Sequence, residues 1–391
     1  MHFMKRILAV IVISQFLCTS LWFAGNAILP DIVQVLRLDQ DFVAHLTSMV
    51  QFGFVIGTLI FAVLTIADRF SPSLVFFFCS MIAALFNLAI SLDGINSIEV
   101  LFCRFFTGFF LAGIYPVGMK IASDYYDKGL GKSLGYLVGA LVLGTGFPHL
   151  LKSLTAQLSW EYVVYSTSAL AFTGGLAMWL LVPNGPFRTP GQKLNLGTFI
   201  IGFKIKKFRA AAFGYFGHMW ELYAFWAFVP IMLKSYIAVY PQVKLNVSLW
   251  SFLIIASGGL ACVAGGYLSQ YLGVKRTAIA SLLLSCMCCL VSPLFLFVSS
   301  VPLLLTFLFF WGVVVIADSP LFSTLVAQNA PEMSRGTSLT IVNCIGFSIT
   351  ILSIQLIHAL TGTMSAKYIF MILALGPVLG LMALREDTVR Q

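Results

Sequence analysis

PNGPFRTPGQKLNLGTFIIGFKIKKF, residues 183–208, is the longest interruption in a chain built otherwise from apolar runs. The stretch holds three prolines, several glycines, five basic residues and no acidic one. Such a composition neither crosses a membrane nor builds a packed core, so it reads as a linker. On each side of it lie six apolar runs, each close to the roughly 20 residues a helix needs to cross a bilayer. They fall near 7–29, 43–67, 73–92, 99–121, 133–153 and 161–182, then near 210–233, 247–270, 277–299, 303–327, 337–360 and 367–384. The expectation is an all-α membrane protein: an N-terminal six-helix bundle (1–182), a basic linker (183–208) and a C-terminal six-helix bundle (209–391). Within the linker, residues 196–209 read either as a basic amphipathic helix on the membrane surface or as flexible chain.

Composition agrees. Of the 391 residues, 60% are hydrophobic and only 9% are charged. A soluble domain carries about 25% charged residues to meet water, so a water-soluble enzyme is excluded. The eight cysteines all stand in apolar runs, which is no disulfide or zinc pattern. The first run, after Lys5 and Arg6, is too long for the h-region of a signal peptide and reads as the first span.

Lysine and arginine set the expected orientation. With a cytoplasmic N-terminus, 16 of the 23 lie on the inner side, five on the outer side, and Arg104 and Lys120 inside the fourth run. Both termini are then cytoplasmic, and the net charge of +9 faces anionic headgroups rather than nucleic acid. A bacterial inner membrane and a monomer are expected.

The halves repeat weakly. Gly108 and Pro116 match Gly312 and Pro320 at an offset of 204, and Gly131, Ser133 and Leu134 match Gly336, Ser338 and Leu339 one residue further on. Six spans per half with a recurring offset indicate duplication, as in many transporters.

Several stretches carry a family resemblance. After the second run, Leu64, Asp68, Arg69, Ser71 and Pro72 stand where the major facilitator superfamily has Gly-x-x-x-Asp-Arg-x-Gly-Arg-Arg; the Asp-Arg pair is kept. The second copy, GGYLSQYLGVKR (265–276), keeps Gly266, Gly273 and Lys275 but has Gln270 in the aspartate position. RFFTGFFLAG (104–113) is similar to that family's Arg-x-x-Gln-Gly, with Thr107 replacing Gln. GYLVGALVLGTGFPHLL (135–151) differs from the glycine-rich motif of the proton-antiporting drug exporters. YPVGMKIASDYY (115–126) and HMWELYAFWAFVP (218–230) resemble a bacterial branch near the cyanate and nitrate porters. The resemblance implies a two-bundle fold with spans one, four, seven and ten around a central cavity. It also implies gating roles for Asp68, Arg69 and Lys275.

An ionisable residue inside a span is costly and therefore a functional candidate. Arg104, His218, Glu221 and Asp318 stand well inside predicted spans four, seven and ten. Glu221 shares a helix face with His218, three residues before it. It reads either as a proton-coupling or substrate-binding carboxylate, or as half of a static Glu–His or Glu–Arg pair. Asp318 precedes Pro320, and Ser319 offers a hydroxyl to repair the proline kink. Arg104 lies nearer the outer end, where it either snorkels or meets an anionic group; Lys120 reads as snorkelling at the inner interface. Gln15, Thr19, Trp22 and Asn26 follow one face of a continuous first helix, and Tyr115 falls on the Arg104 face of the fourth. Tyr223 and Trp226 complete the expected substrate cavity, while His149 and His358 read as structural.

The expected partners are a small polar, amphipathic or anionic solute, protons and membrane lipids. No cofactor is expected: Gly131-Lys132-Ser133 imitates a phosphate loop, but Tyr126 stands where the pattern needs glycine. No loop cluster has metal or nucleophile spacing, so no enzyme is expected. The open alternatives are an uncoupled facilitator, a drug or metabolite exporter, and a carrier of metal ions or chelates using His218, Glu221 and Asp318.

Overall fold

The structure, a computed structural model, describes residues 2–37, 42–125, 130–188, 200, 202–331 and 335–386. Residues 196–199, which hold the start of the expected surface helix, lie outside them. The described residues form helices joined by short turns, with no strand among them. Ten helical stretches are long and apolar enough to span a bilayer. Two shorter apolar helices, Arg6–Thr19 and Ile369–Arg385, stand at the places of the first and twelfth spans. The chain divides into two compact units, Met1–Lys193 and Leu194–Gln391.

Three spans are broken, and the breaks have identifiable causes. The fourth consists of Ser97–Leu111 and Tyr115–Ser123, and the tenth of Val301–Ala317 and Ser319–Asn329. Pro116 and Pro320 sit in the first turn of each second piece, where a missing N–H is harmless. The proline cannot donate to the preceding turn, so the helix before it ends. The first span breaks without proline. Its helix ends at Thr19, and a four-residue helix, Ala24–Ala27, follows the turn at 20–23. Thr19 Oγ1 donates back to the Gln15 carbonyl (2.8 Å) and Ser20 Oγ to the Leu17 carbonyl (2.6 Å). Arg104 takes the Leu21 and Trp22 carbonyls. These bonds replace the helical ladder. The continuous first helix expected from hydropathy is thereby corrected, and the stripe Gln15, Thr19, Trp22, Asn26 is divided between helix, turn and short helix.

The repeat extends into packing. In the first unit, the second span (Phe42–Val63) crosses Ser97–Leu111 so closely that a β-carbon on Gly108 would collide with the Val50 carbonyl oxygen. In the second unit, a β-carbon on Gly312 would meet the Ile254 carbonyl oxygen of the eighth span, Val247–Leu272. Both members of this contact are offset by 204 residues, as are Trp22 and Trp226, which are both fully buried. The eighth and ninth spans are separated by Gly273 alone, at φ +85°, a conformation that glycine adopts without penalty. Lys275 consequently begins the ninth helix, Val274–Phe295, instead of lying in a loop.

The seventh span, Lys206–Val239, has 34 residues. At 1.5 Å per residue it is about 50 Å long, well beyond the roughly 30 Å hydrocarbon core. It is therefore long enough to cross the apolar layer tilted or to extend beyond it.

Candidate functional site

The second unit gathers the carboxylates. Glu221 lies about 22 Å along the seventh helix from Lys206, at 1.5 Å per residue, and is buried. Trp311 Nε1 donates to Glu221 Oε1 (2.6 Å), and Ser285 Oγ donates to Oε2 (2.8 Å). The Trp311 ring is braced by Phe225 (4.8 Å between centroids) and Phe307 (5.5 Å). The seventh, ninth and tenth spans thus meet at one carboxylate, each of whose oxygens accepts a bond.

Asp318 closes the helix Val301–Ala317 and precedes Ser319–Asn329, so its carboxylate projects from the break in the tenth span. His218 Nδ1 stands 2.8 Å from Asp318 Oδ1, with both side chains about 1% exposed. The static Glu221–His218 pair, one of the alternatives open for Glu221, is not formed. Their spacing puts them on neighbouring faces, but His218 turns to Asp318 while Glu221 turns to Trp311. His218 Nε2 and both Asp318 oxygens find no hydrogen-bond partner among the described residues. An imidazole and a carboxyl group at this distance attract as an ion pair when both are charged, and their unpartnered atoms can accept or donate a proton. Buried polar groups are normally satisfied, so a pair that keeps hydrogen-bonding capacity in hand is a candidate for exchange chemistry. Among the described residues no three His, Cys, Asp or Glu side chains are grouped to hold a metal ion.

Tyr223 and Trp226 are fully buried one turn further on, ring against ring at 5.1 Å, and Phe347 packs on Tyr223 at 5.3 Å.

The first unit contributes a buried cation. Arg104 is fully buried and does not snorkel. Its Nη1 donates to Leu21 O and Asn87 Oδ1 (both 3.2 Å), and its Nη2 to Leu21 O (3.1 Å) and Trp22 O (2.6 Å). A cation at the carbonyl end of a helix is favoured by the aligned peptide dipoles. Asn87 is held in turn by Thr167 (3.1 Å) and Ser168 (2.9 Å). Arg104 therefore clamps the turn that carries Trp22. Around Trp22 stand the rings of Phe54 (4.9 Å) and Tyr115 (6.5 Å), and Asn26 Nδ2 donates to Thr47 Oγ1 (2.7 Å). Gln15 and Gln51 are fully buried, and both amide atoms of each lack a partner among the described residues.

Of the gating candidates, Asp68 lies in a second constellation, within the first unit. Lys120 pairs with Asp68 (2.8 Å) and lies 3.8 Å from Asp124, so it is an ion-pair partner and not a free snorkelling chain. Burial raises the Asp124 carboxyl above the usual range against the pull of Lys120 and Arg188. Arg188 Nη2 donates to the Asp68 and Phe70 carbonyls (2.9 and 2.7 Å), and Ser71 Oγ to Asn184 Oδ1 (2.9 Å). Tyr125 OH bonds the Pro183 carbonyl, and Phe187 N the Asp124 carbonyl (3.0 Å). Residues 183–188 are thereby fastened to the turn that carries Asp68. Arg69 is exposed, and its Nε donates to Thr65 Oγ1 (3.1 Å).

Sequence reading missed Trp311, Ser285, Asn87, Gln51 and Arg188. Mid-span amides such as Asn87 and Gln51 were visible as polar residues in apolar runs. A tryptophan or serine in a span carries no such signal, because either is common there as packing.

Comparison with known proteins agrees with this architecture. The chain is 26% identical over 140 residues to the Ascochitine biosynthesis cluster MFS transporter of Didymella fabae. That alignment spans 35% of this chain and 26% of the relative. A bacterial homolog of the human lysosomal transporter Spinster, in an inward-facing and unoccupied conformation, has the same fold: TM-score 0.69, 15% identity, 98% of this chain and 97% of that one covered. The human organic anion transporter MFSD10 (TETRAN) superposes with TM-score 0.73 at 15% identity, covering 97% of this chain and 99% of that one. The sequence profile of the Major Facilitator Superfamily matches residues 11–354, most of the chain and both bundles. The protein, a multi-pass membrane protein of twelve apolar helices in two six-helix bundles, belongs to the Major Facilitator Superfamily.

Proposed function

We propose that this chain is a proton-coupled secondary transporter that moves a small polar or amphipathic solute across a bacterial inner membrane by alternating access. The observation that carries the reading is the His218–Asp318 pair: buried, 2.8 Å apart, set at a helix break, with His218 Nε2 and both Asp318 oxygens lacking a hydrogen-bond partner among the described residues. Coupling requires a group that exchanges a proton and changes its contacts when it does. Protonating an Asp⁻–HisH⁺ pair removes the attraction that holds the break in the tenth span against the seventh helix. Glu221, with a donor on each oxygen, is assigned the role of a fixed anchor. Arg104 is assigned to positioning Trp22, and Gln15, Thr19, Asn26, Tyr115, Tyr223 and Trp226 to the solute path. Asp68, Arg69 and Lys275 are assigned to gating. The excess of lysine and arginine on one set of loops supports cytoplasmic termini and a cytoplasmic linker, and the motif phrases quoted above support placement near the cyanate and nitrate porters.

A pH-difference infrared titration of the purified protein tests the assignment without knowledge of the solute. On acidification the wild type should gain a carboxylic-acid carbonyl band that Glu221→Gln keeps and folded Asp318→Asn lacks. A band kept in Asp318→Asn and lost in Glu221→Gln would transfer the role to Glu221.

A further inference from the structure

The start of the seventh span carries a cation cluster that neither fold stability nor the solute path accounts for. Lys204, Lys206, Lys207 and Arg209 are all exposed within six residues. Between Glu161 and Glu221 the sequence has no acidic residue. Among the described residues none of the four has a carboxylate at ion-pair distance. Three of them stand in the first turn of the helix Lys206–Val239, which has no acidic residue there and no side-chain cap. Positive side chains at that end of a helix oppose the peptide dipoles, so the arrangement works against the helix it begins. A cluster that is self-repelling, opposed by the dipole and without a carboxylate partner among the described residues is stabilised by an external anion.

The segment is also shaped. Ile205 N bonds the Gly202 carbonyl (2.9 Å) and Arg209 N the Ile205 carbonyl (3.0 Å). Arg209 Nη1 donates to the Phe203 carbonyl (3.2 Å), closing the turn on itself. The Phe203 and Phe208 rings meet edge to face at 5.4 Å, and Phe208 is fully buried, which fixes the turn to the bundle. Ile200 (64% exposed) and Ile205 (41% exposed) flank the cations with free apolar surface. Four exposed cations are too costly to leave in hydrocarbon, and the seventh helix is about 20 Å longer than the hydrocarbon core, so this turn belongs outside the apolar layer, beside the headgroups. Exposed cations there, with apolar side chains beside them, match an anionic headgroup above the start of its acyl chains.

We infer that residues 200 and 202–209 form a binding site for an anionic phospholipid, with Lys204, Lys206, Lys207 and Arg209 on the phosphate and Ile200 and Ile205 against the acyl chains. The site is independent of the proton-coupling reading, since Arg209 bonds within its own turn while His218 and Asp318 face each other.

Native mass spectrometry and thermal stability of the full chain, in detergent supplemented with phosphatidylglycerol or phosphatidylcholine, test the inference. The wild type should retain phosphatidylglycerol and melt at a higher temperature with it than with phosphatidylcholine. Each juxtamembrane cation is worth roughly a fivefold factor in affinity for an anionic surface. Replacing all four with glutamine should therefore weaken retention by about a hundredfold or more. Arg6→Gln/Arg385→Gln, which removes two exposed cations elsewhere, should retain the lipid as the parent does. Inorganic phosphate in place of lipid should give no stabilisation; equal stabilisation by phosphate would replace the lipid with a free anion. Indifference of the wild type to headgroup charge, or an unchanged response in the four-glutamine variant, would overturn the site. A pair of single replacements, Lys204→Gln and Lys207→Gln, keeps the test valid if the fourfold variant fails to fold, because each should lower retention by itself.

Discussion

Trp311 and Ser285 show how a buried carboxylate is held in this protein, each donating to one oxygen of Glu221. Removing one donor leaves an acceptor buried without a partner, a loss of roughly 1–3 kcal/mol. Trp311→Phe should therefore lower stability in detergent unfolding by about that amount. In the Glu221→Gln background the same change should cost less, giving a coupling energy above about 0.5 kcal/mol in the double-mutant cycle. Strict additivity would mean that the indole and the carboxylate do not act together. At this scale the sequence was half legible. Arg104, His218, Glu221 and Asp318 stood out because an ionisable group in an apolar run has few structural reasons to be there. Their partners did not stand out. The three-residue spacing of His218 and Glu221 suggested a pair, whereas the break at Asp318 brings the tenth span's carboxylate to His218. Such pairings depend on which helices pack together, and that is not written in local periodicity.

Breaks and close crossings are features of whole elements, and here sequence and structure meet more closely. Gly108 and Gly312, eight residues before Pro116 and Pro320, each admit a neighbouring backbone where a β-carbon would collide. Gly108→Ala and Gly312→Ala should each reduce stability by about 1–3 kcal/mol through overpacking. Gly336→Ala, at a position with open space around it, should be neutral or slightly stabilising. The comparison is made by thermal unfolding of the monodisperse fraction; equal effects at all three positions would contradict the packing reading. The prolines announced two of the breaks because a missing N–H acts locally. The first span gave no such sign. Its break depends on Arg104, which comes 82 and 83 residues after the carbonyls it takes. Hydropathy therefore predicts a continuous helix there, and only tertiary contact interrupts it.

Across the whole molecule, the number of spans, the two bundles and the family were legible because lipid imposes a coarse rule: about 20 apolar residues for each crossing. The linker was legible only as a break in hydropathy. That its first residues are fastened by Arg188 and Tyr125 to the Asp68 turn follows from contacts more than 50 residues apart. In the sequence the cations of residues 204–209 read as topology; that none has a carboxylate partner among the described residues is visible only in the fold. The proposed proton-coupled cycle makes its sharpest demand at this scale. The direct test is uptake into proteoliposomes of a solute first identified by its thermal stabilisation of the purified protein. The wild type should concentrate the solute under an imposed pH gradient, while Asp318→Asn should exchange it across the membrane without concentrating it. If Asp318→Asn accumulates solute against its gradient as well as the wild type under the same pH gradient, the His218–Asp318 pair does not couple transport to protons.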